Sequence, residues 1–200
     1  MPKKRDGGVW AGKLGDDYTR RNMTGDQTAF FAPIVTLTGP LESAIEFGPN
    51  VGLNLSALRR IFPQIEVAGV EVNQGACAEL QKRIPDAVVY QCPADRFETE
   101  RTYDLALTKS FLIHIPPQEL HAVTARLYQC VRRWLLLAEY YNPRLVEAHY
   151  RNTVLWKRDF AGEMLDRYPD LQLVAHGFSY HLDEFPQDDI TWFLLKRVPS

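Results

Sequence analysis

One short segment constrains the fold of this chain more than any other, namely residues 45–54 with the sequence IEFGPNVGLN. It places one acid and two glycines, Glu46, Gly48 and Gly52, between an apolar strand and an apolar helix. Gly48 lets the chain leave the strand abruptly, and Gly52 removes a side chain where a ligand or the strand approaches the helix. A second acid, Glu71, ends the next predicted strand. An acid there is the usual partner of a ribose held over a glycine turn.

Predicted strands and helices alternate along the rest of the chain. Apolar and β-branched runs predict strands at residues 44–47, 65–72, 88–91, 103–108 and 134–138, and alternating patterns predict two more at 171–180 and 190–198. Helical spacing predicts helices over residues 53–62, 75–84 and 159–168, and one that begins at Pro117. We therefore predict an α/β, Rossmann-like fold with a mostly parallel seven-stranded sheet, helices on both faces and an antiparallel C-terminal strand.

The same pattern predicts the organisation of the domain. Residues 1–40, with aromatic residues among polar ones, are expected to form an N-terminal helical cap or lid of the same domain, and residues 41–200 the ligand-binding domain. Ligands of such sheets bind at the carboxyl ends of the strands, near the point where the strand order reverses. The acids and turns named above are expected to lie on that rim.

Composition and charge exclude several classes of partner. The chain has 200 residues and a net charge of −2, so we expect no nucleic-acid surface. Cys77, Cys92 and Cys130 have no metal-ligand spacing and the histidines are scattered, so no metal site is expected. Apolar runs are too short to span a bilayer and the N-terminus is too polar for a signal peptide. We expect a cytoplasmic protein without a membrane partner, and a homodimer is left open.

The cofactor follows from the form of the glycine turn. It lacks the full GxGxxG pattern of dinucleotide binders, and its Glu-x-Gly-x-x-x-Gly form resembles motif I of the class I S-adenosylmethionine (SAM) methyltransferases. The resemblance implies SAM as cofactor and S-adenosylhomocysteine (SAH) as product. Glu46 and Gly48 are expected at the methionine half, Glu71 at the ribose hydroxyls and Asp95 at the adenine amino group. Further predicted cofactor-binding residues are Asn50, Gly52, Asn54, Val72, Ala94 and Lys109. For each acid, an N-cap or a solvated loop position is the competing interpretation.

A second group of residues is predicted to face the methyl acceptor. His114 follows the fourth strand, where a neutral imidazole is suited to remove a proton as the methyl group moves, although a hydrogen-bonded turn histidine is an equal alternative. The substrate-binding candidates are Tyr140, Tyr141 and Asn142 after the fifth strand and Asp188 before the last strand. For any one of these four, packing or turn solvation is the competing interpretation.

Several segments together resemble the pseudaminic acid biosynthesis-associated methylase family. They are residues 10–18, 21–22, 46–55, 107–109, 113–115, 138–143, 157–165 and 185–194, so the likeness covers nearly the whole chain. It implies a class I SAM-dependent methyltransferase associated with nonulosonic-acid sugar biosynthesis, with the acceptor undefined. In related enzymes an N-terminal segment closes over SAM, which implies cofactor-lid roles for Tyr18 and Arg21. Phe47 and Pro49 depart from the Leu and the Ala or Ser of related turns.

These observations lead to one main hypothesis about function. The chain is expected to be an enzyme that methylates an oxygen or nitrogen of a small polar metabolite, with a sugar or sugar nucleotide as the leading acceptor. A small carboxylate or phosphonate acid is the second candidate acceptor. Two different classes of protein stay open, namely a non-catalytic SAM-binding subunit and an RNA or protein methyltransferase, and the lack of a basic face argues against RNA.

Overall fold

A seven-stranded sheet forms the centre of the computed structural model, which describes residues 8–150 and 153–198. In chain order its strands are β1 (Ser43–Phe47), β2 (Glu66–Glu71), β3 (Val88–Gln91), β4 (Tyr103–Lys109), β5 (Val131–Glu139), β8 (Leu171–Ser179) and β9 (Ile190–Arg197). A separate antiparallel hairpin lies between β5 and β8 and consists of β6 (Val146–Tyr150) and β7 (Thr153–Lys157).

The strand order across the sheet is β3-β2-β1-β4-β5-β9-β8. Neighbours from β3 to β5 are parallel, whereas β9 is antiparallel to both β5 and β8. The predicted α/β sheet with an antiparallel C-terminal strand is confirmed. The order reverses between β1 and β4, so the crevice predicted to hold a ligand lies above these two strands.

Six α-helices are found in the described residues: α1 (Lys13–Arg21), α2 (Thr28–Thr38), α3 (Leu53–Ile61), α4 (Gln74–Arg83), α5 (Pro117–Gln129) and α6 (Phe160–Arg167). Side chains alternate along the central strands β1, β4 and β5 between two cores. Ala44 and Leu105 face the core of α2, α3 and α4, whereas Ile45 and Ala106 face the core of α5 and α6. Helices on both faces therefore bury the sheet, as strands apolar on both faces require.

The described part of the predicted N-terminal cap divides into two structural units. Helix α2 belongs to the core, because Phe31 and Ile34 are buried against residues of α3 and the sheet. Residues 8–11 form one 3-10 turn, and with α1 they cover the carboxyl ends of the strands. Residues 1–7 of the predicted cap lie outside the described residues. Within the described residues, no helix has both the length and the apolar character that crossing a bilayer requires.

The β6–β7 hairpin is absent from the sequence prediction. Its strands are short, they pair only with each other, and the described side chains of β7 are all half-buried. Such a segment shows neither the alternation of a one-sided sheet nor the apolar run of a buried strand. For that reason no secondary structure is predicted between Asn142 and Asp159.

Asp104 near the start of the central strand β4 connects β1, β4 and β5 at the end of the strands opposite the crevice. Its buried carboxylate accepts a hydrogen bond from the Glu42 backbone N–H at 2.8 Å and another from Arg132 Nε at 3.0 Å. Its own backbone N–H donates to Ser43 Oγ at 3.1 Å. Burial raises the pKa of Asp104, but these hydrogen bonds and the Arg132 charge outweigh it and hold the pKa below the ordinary 3.8.

Replacing Asp104 by Asn should lower the free energy of unfolding by about 2 kcal/mol at pH 7, because the amide presents a donor to groups that are themselves donors. Since the folded-state pKa is lowered, the stabilisation is present above pH 3.8 and is lost as the pH falls through the folded-state value. Urea unfolding at pH 7 and at low pH measures both effects. Asp166→Asn, on the exposed side of α6, is the matched control, and equal losses in the two variants would contradict the role given to Asp104.

Candidate active site

A cavity of about 1800 Å³ opens at the carboxyl ends of the parallel strands. It collects residues from the β1–α3 turn, the ends of β2 and β4, the segment after β5, the β6–β7 hairpin and the β8–β9 loop, and α1 covers one side. Twelve of the predicted site residues line it: Tyr18, Gly48, Asn50, Asn54, Glu71, Val72, Ala94, Asp95, Lys109, His114, Tyr140 and Asp188. Five do not: Arg21, Glu46, Gly52, Tyr141 and Asn142.

The β1–α3 turn is built from three residues in the left-handed backbone region. Gly48, Asn50 and Gly52 have φ of 72°, 49° and 79°, which glycine and, at some cost, asparagine accept most readily. A Cβ at Gly48 would lie 2.3 Å from the Phe111 ring, so this glycine also lets that ring pack against the turn. At Gly52 the nearest atom to an added Cβ is Leu80 Cγ of α4, at 3.0 Å. Gly52 therefore allows the start of α3 to pack closely against α4, and it faces that helix and not the cavity.

Glu71 connects the tip of β2 to this turn. Its carboxylate accepts the backbone N–H of Asn50 at 3.0 Å and that of Asn73 at 2.8 Å. Burial raises the pKa of Glu71, and the two hydrogen bonds oppose that rise. A carboxylate has about four acceptor positions, so two bonds leave acceptor capacity for a ligand in the cavity. Glu71 and the glycine turn, which the sequence predicts at neighbouring strand ends, are therefore in direct contact.

Glu46 lies below the cavity and is fully buried. Its Oε1 accepts a hydrogen bond from Asn54 Nδ2 at 2.5 Å, and its Oε2 has no partner among the described residues. Burial raises the pKa of Glu46 to about 7, while the Asn54 hydrogen bond and the charge of Lys109 oppose the rise. Glu46 therefore reaches the cavity through Asn54 and Lys109, both of which line it.

Lys109 forms part of the cavity floor at the end of β4. Burial lowers its pKa, while the charges of Glu46, Asp188 and Glu139 raise it. Glu139 is buried at the end of β5, and its Oε1 accepts the backbone N–H groups of Phe111 and Leu112, each at 3.1 Å. Burial raises the pKa of Glu139 to about 7 as well. One lysine thus stands among two buried acids and one exposed acid.

Hydrogen bonds to Asn50 and Asn73 hold the N-terminal residues 8–21, which we call the covering segment, over the cavity. Thr19 Oγ1 donates to Asn50 Oδ1 at 2.8 Å, and Asn73 Nδ2 donates to Asp16 Oδ1 at 2.8 Å and to the Trp10 carbonyl at 3.2 Å. No role is predicted from the sequence for Thr19, Asp16 or Asn73. Asn73 follows Glu71 and precedes α4, whose N-terminus it caps through Ala76 N–H at 2.8 Å, and an asparagine at a helix start was the available signal.

His114 lies beneath this covering segment. Its ring centroid is 4.3 Å from that of Trp10, which also contacts the Tyr18 ring at 5.6 Å. Burial lowers the pKa of His114 to about 4, so the imidazole is neutral at physiological pH. Its Nδ1 is buried and has no hydrogen-bond partner among the described residues.

Three further predicted residues lie outside the cavity, namely Arg21, Tyr141 and Asn142. Arg21 is exposed at the last turn of α1. Tyr141 is 42% exposed and contacts the Phe193 ring at 5.8 Å, and the amide of Asn142 donates to the Arg144 carbonyl at 2.6 Å. The cavity wall on this side instead includes Leu155 and Trp156 of the hairpin, for which the sequence offered no signal.

Nothing in the described residues forms a group of three or more His, Cys, Asp or Glu suited to hold a metal ion. The three cysteines are free, and Cys92 lines the cavity beside Asp95. Burial raises the pKa of the Cys92 thiol, and the nearby Asp95 charge raises it further.

Known proteins resemble this chain in three-dimensional structure, and this structural likeness supports the fold. The sequence matches no family model and no curated protein, so the resemblance to the pseudaminic acid-associated methylases stays an expectation. The glycopeptide N-methyltransferase MtfA, solved with SAH, superposes with a TM-score of 0.68 at 12% identity. The match covers 94% of this chain and 99% of the MtfA chain.

Two further solved structures have similar scores. Magnesium protoporphyrin IX methyltransferase (ChlM) from Synechocystis PCC 6803, with bound SAM, has a TM-score of 0.66 at 15% identity, over 95% of this chain and 94% of its own. CalS10, an amino pentose methyltransferase from Micromonospora echinaspora with bound SAM, has a TM-score of 0.66 at 13% identity. The match covers 94% of this chain and 98% of the CalS10 chain. The chain therefore has the fold of the class I methyltransferases.

The buried acid Glu46 gives a test of the site's electrostatics. Because its folded-state pKa is raised from 4.5 to about 7, its contribution favours folding below pH 4.5 and is lost as the pH rises through 7. Glu46→Gln keeps the acceptor for Asn54 and removes the titration. Relative to the wild type, the variant should gain up to about 3 kcal/mol of unfolding free energy between pH 5 and pH 8.

Urea unfolding of both proteins without ligand at several pH values measures this gain. Glu100→Gln, at an exposed position, is the matched control. Parallel pH profiles for wild type and Glu46→Gln would show that Glu46 is ionised at the same pH in the folded and unfolded chain.

Proposed function

We propose that this chain is a SAM-dependent methyltransferase that acts on an oxygen or nitrogen of a small polar metabolite, with a sugar or sugar nucleotide as the leading acceptor. The observation that carries the proposal is Glu71 at the tip of β2, bonded to the Asn50 backbone beside the left-handed turn, in the cavity of a class I methyltransferase fold. Solved proteins of this fold contain SAM or SAH. The cytoplasmic location remains a prediction, and whether the protein forms a homodimer remains open.

The residues present fit this cofactor. Glu71 retains acceptor capacity for the two ribose hydroxyls, and Asp95 with Ala94 and Val72 line the part of the cavity where adenine would lie. Leu53 and Asn54 at the N-terminus of α3 line the cavity, and the backbone N–H groups of a helix N-terminus suit close approach of the methionine half. Lys109 and Asn54 line the cavity, and we propose that they meet the polar ends of the methionine half, with Glu46 behind them. When bound, SAM supplies an electrophilic methyl group on a cationic sulfur.

The covering segment gives the site its shape. Tyr18 and Trp10 line the cavity, and the Thr19–Asn50 hydrogen bond ties α1 to the turn. Exclusion of water by this segment would strengthen the electrostatic interactions inside. Arg21 is exposed and outside the cavity, so we rest the lid role on Tyr18, Trp10 and Thr19.

His114 is the residue that we propose beside the acceptor. A neutral ring with a pKa of about 4 accepts a hydrogen bond at all physiological pH values but is a weak proton acceptor. Methyl transfer is an in-line displacement in which positioning contributes much of the rate. We therefore propose that His114 mainly orients the acceptor atom and takes its proton only when a hydroxyl is the acceptor.

Glu71→Gln should weaken SAH binding on the order of 30-fold, because the loss of hydrogen bonds to a charged acceptor costs about 2 kcal/mol. Titration calorimetry with SAH measures the dissociation constant, and circular dichroism verifies that the variant is folded. Glu79→Gln on α4 is the control, since its carboxylate lies outside the cavity. The proposal fails if the wild type binds neither SAM nor SAH, or if Glu71→Gln binds SAH as the wild type does.

His114→Ala should lower kcat at least about tenfold while the SAH dissociation constant changes less than about threefold, because the ring acts on the acceptor and not on the cofactor. His121→Ala on the exposed side of α5 is the control. Mass spectrometry of methylated product in host extract supplied with SAM measures turnover. Tight SAH binding without methylation of any component would instead favour a non-catalytic SAM-binding subunit.

A further inference from the structure

Part of the cavity lies beyond the proposed cofactor contacts. It is lined by Tyr140, by Leu155 and Trp156 of the hairpin, and by His181 and Asp188 of the β8–β9 loop, and we call it the acceptor side. Pockets for one drug-sized ligand usually measure about 300–1,000 Å³. A cavity of about 1800 Å³ therefore has room for a second small molecule next to a cofactor.

Aromatic rings form one wall of the acceptor side. The indole N–H of Trp156 donates to Glu147 Oε1 at 3.4 Å, which helps to hold the ring in place on β7. The Lys157 ammonium lies 5.2 Å from the centroid of the Tyr140 ring, so an ammonium is already stabilised by an aromatic face at this edge. Aromatic faces attract cations through the ring quadrupole.

The charges that line the cavity favour a cation over an anion. Among the described lining residues there is no arginine, and Lys109 is the single lysine. Lys109 already stands in the field of Glu46, Glu139 and Asp188. Phosphate recognition usually needs arginine forks, several lysines or a helix N-terminus, so a sugar nucleotide or a phosphonate would find little compensation on this side.

Asp188 is the carboxylate available to a ligand. It lines the cavity, and it makes no hydrogen bond with any described residue and no ion pair within 4.0 Å of one. Its neighbour Asp189 differs, because its carboxylate is bonded to the His181 ring and backbone N–H. An exposed carboxylate in a cavity that aromatic rings also line is a suitable receptor for an ammonium group.

We propose that the methyl acceptor is a primary or secondary amine on a small, otherwise uncharged polar molecule, whose ammonium is held by Asp188 and whose body lies against Trp156 and Tyr140. This inference rests on the proposed methyltransferase function and narrows it. It favours nitrogen over oxygen, and it disfavours the sugar nucleotides, carboxylates and phosphonates that the sequence left open.

The chemistry of an amine matches the weak base in the site. The ammonium first loses one proton to water at the open mouth of the cavity beside Asp188. The nitrogen lone pair then forms the C–N bond while the S–CH₃ bond breaks and its electron pair stays on sulfur. The positive charge passes from the sulfonium to the methylated ammonium, so no base is needed during transfer, whereas a hydroxyl acceptor would require one.

Matched acceptors test the proposal with the full chain. The probes are methyl glycosides of aminohexoses with the amine at C2, C3, C4 or C6, the parent hydroxyl sugars, and the corresponding sugar 1-phosphates. Product formation with SAM is followed by mass spectrometry, and binding of each probe in the presence of SAH by calorimetry. We expect binding and a gain of one methyl group with at least one amine, and neither with its hydroxyl or phosphate counterpart.

Variants then connect the selectivity to the residues. Asp188→Asn should raise KM for the amine at least tenfold and leave the SAH dissociation constant within about twofold, and Trp156→Leu should raise KM in the same direction. Glu184→Gln, in the same loop but outside the cavity lining, should behave as the wild type.

Three outcomes would overturn the amine assignment. They are methylation of a hydroxyl or phosphate probe in preference to its amine, an Asp188→Asn variant with unchanged amine KM, and no binding or transfer with any amine while SAH binds. In each case intact SAH binding would leave the methyltransferase proposal standing, whereas loss of SAH binding in the wild type would remove both.

Discussion

The hydrogen bond from the Asn50 backbone N–H to Glu71 is the interaction on which the rest of the cavity depends. The turn between β1 and α3 contains three left-handed residues, and such a backbone persists only when its surroundings hold it. Glu71 supplies that support from the neighbouring strand, and the Gly48 N–H donates to the Val70 carbonyl at 2.9 Å. The same carboxylate that shapes the turn thus faces the space above it, so the geometry of the cavity and its ligand chemistry share one group.

Buried ionisable groups give the site its electrostatic character. Glu46 and Glu139 are buried near the ends of β1 and β5, each with a pKa of about 7, and Lys109 ends β4 between these strands. Retaining such groups costs stability, because each ionised form loses hydration that its partners replace only in part. Perturbed acids and bases that converge in one cleft are common at functional sites. A bound ligand that meets these charges would offset part of that cost.

The covering segment is held by residues that also shape the floor. Asn50 forms part of the turn and accepts from Thr19, while Asn73 caps α4 and donates to Asp16 and to the Trp10 carbonyl. A Cβ at Gly15 would lie 1.9 Å from the Trp10 carbonyl oxygen, so only glycine allows this approach between the 3-10 turn and α1. Movement of the segment would break contacts at both asparagines at once, which couples the cover to the turn and to the start of α4.

The seven strands of the sheet, the bounds of α3, α4 and α6, and an acid at the end of β2 near the glycine turn were predictable from the amino-acid sequence alone. These follow from local signals, namely the period of apolar residues, the positions of proline and glycine, and an acid at a strand end. Three other features became visible only in the folded chain: Glu46 lies beneath the cavity, Gly52 packs against Leu80, and α2 belongs to the core. The hairpin that places Trp156 in the wall was likewise visible only in three dimensions. Whether a polar side chain faces a ligand, a neighbouring helix or water depends on distant residues, and no local pattern records that.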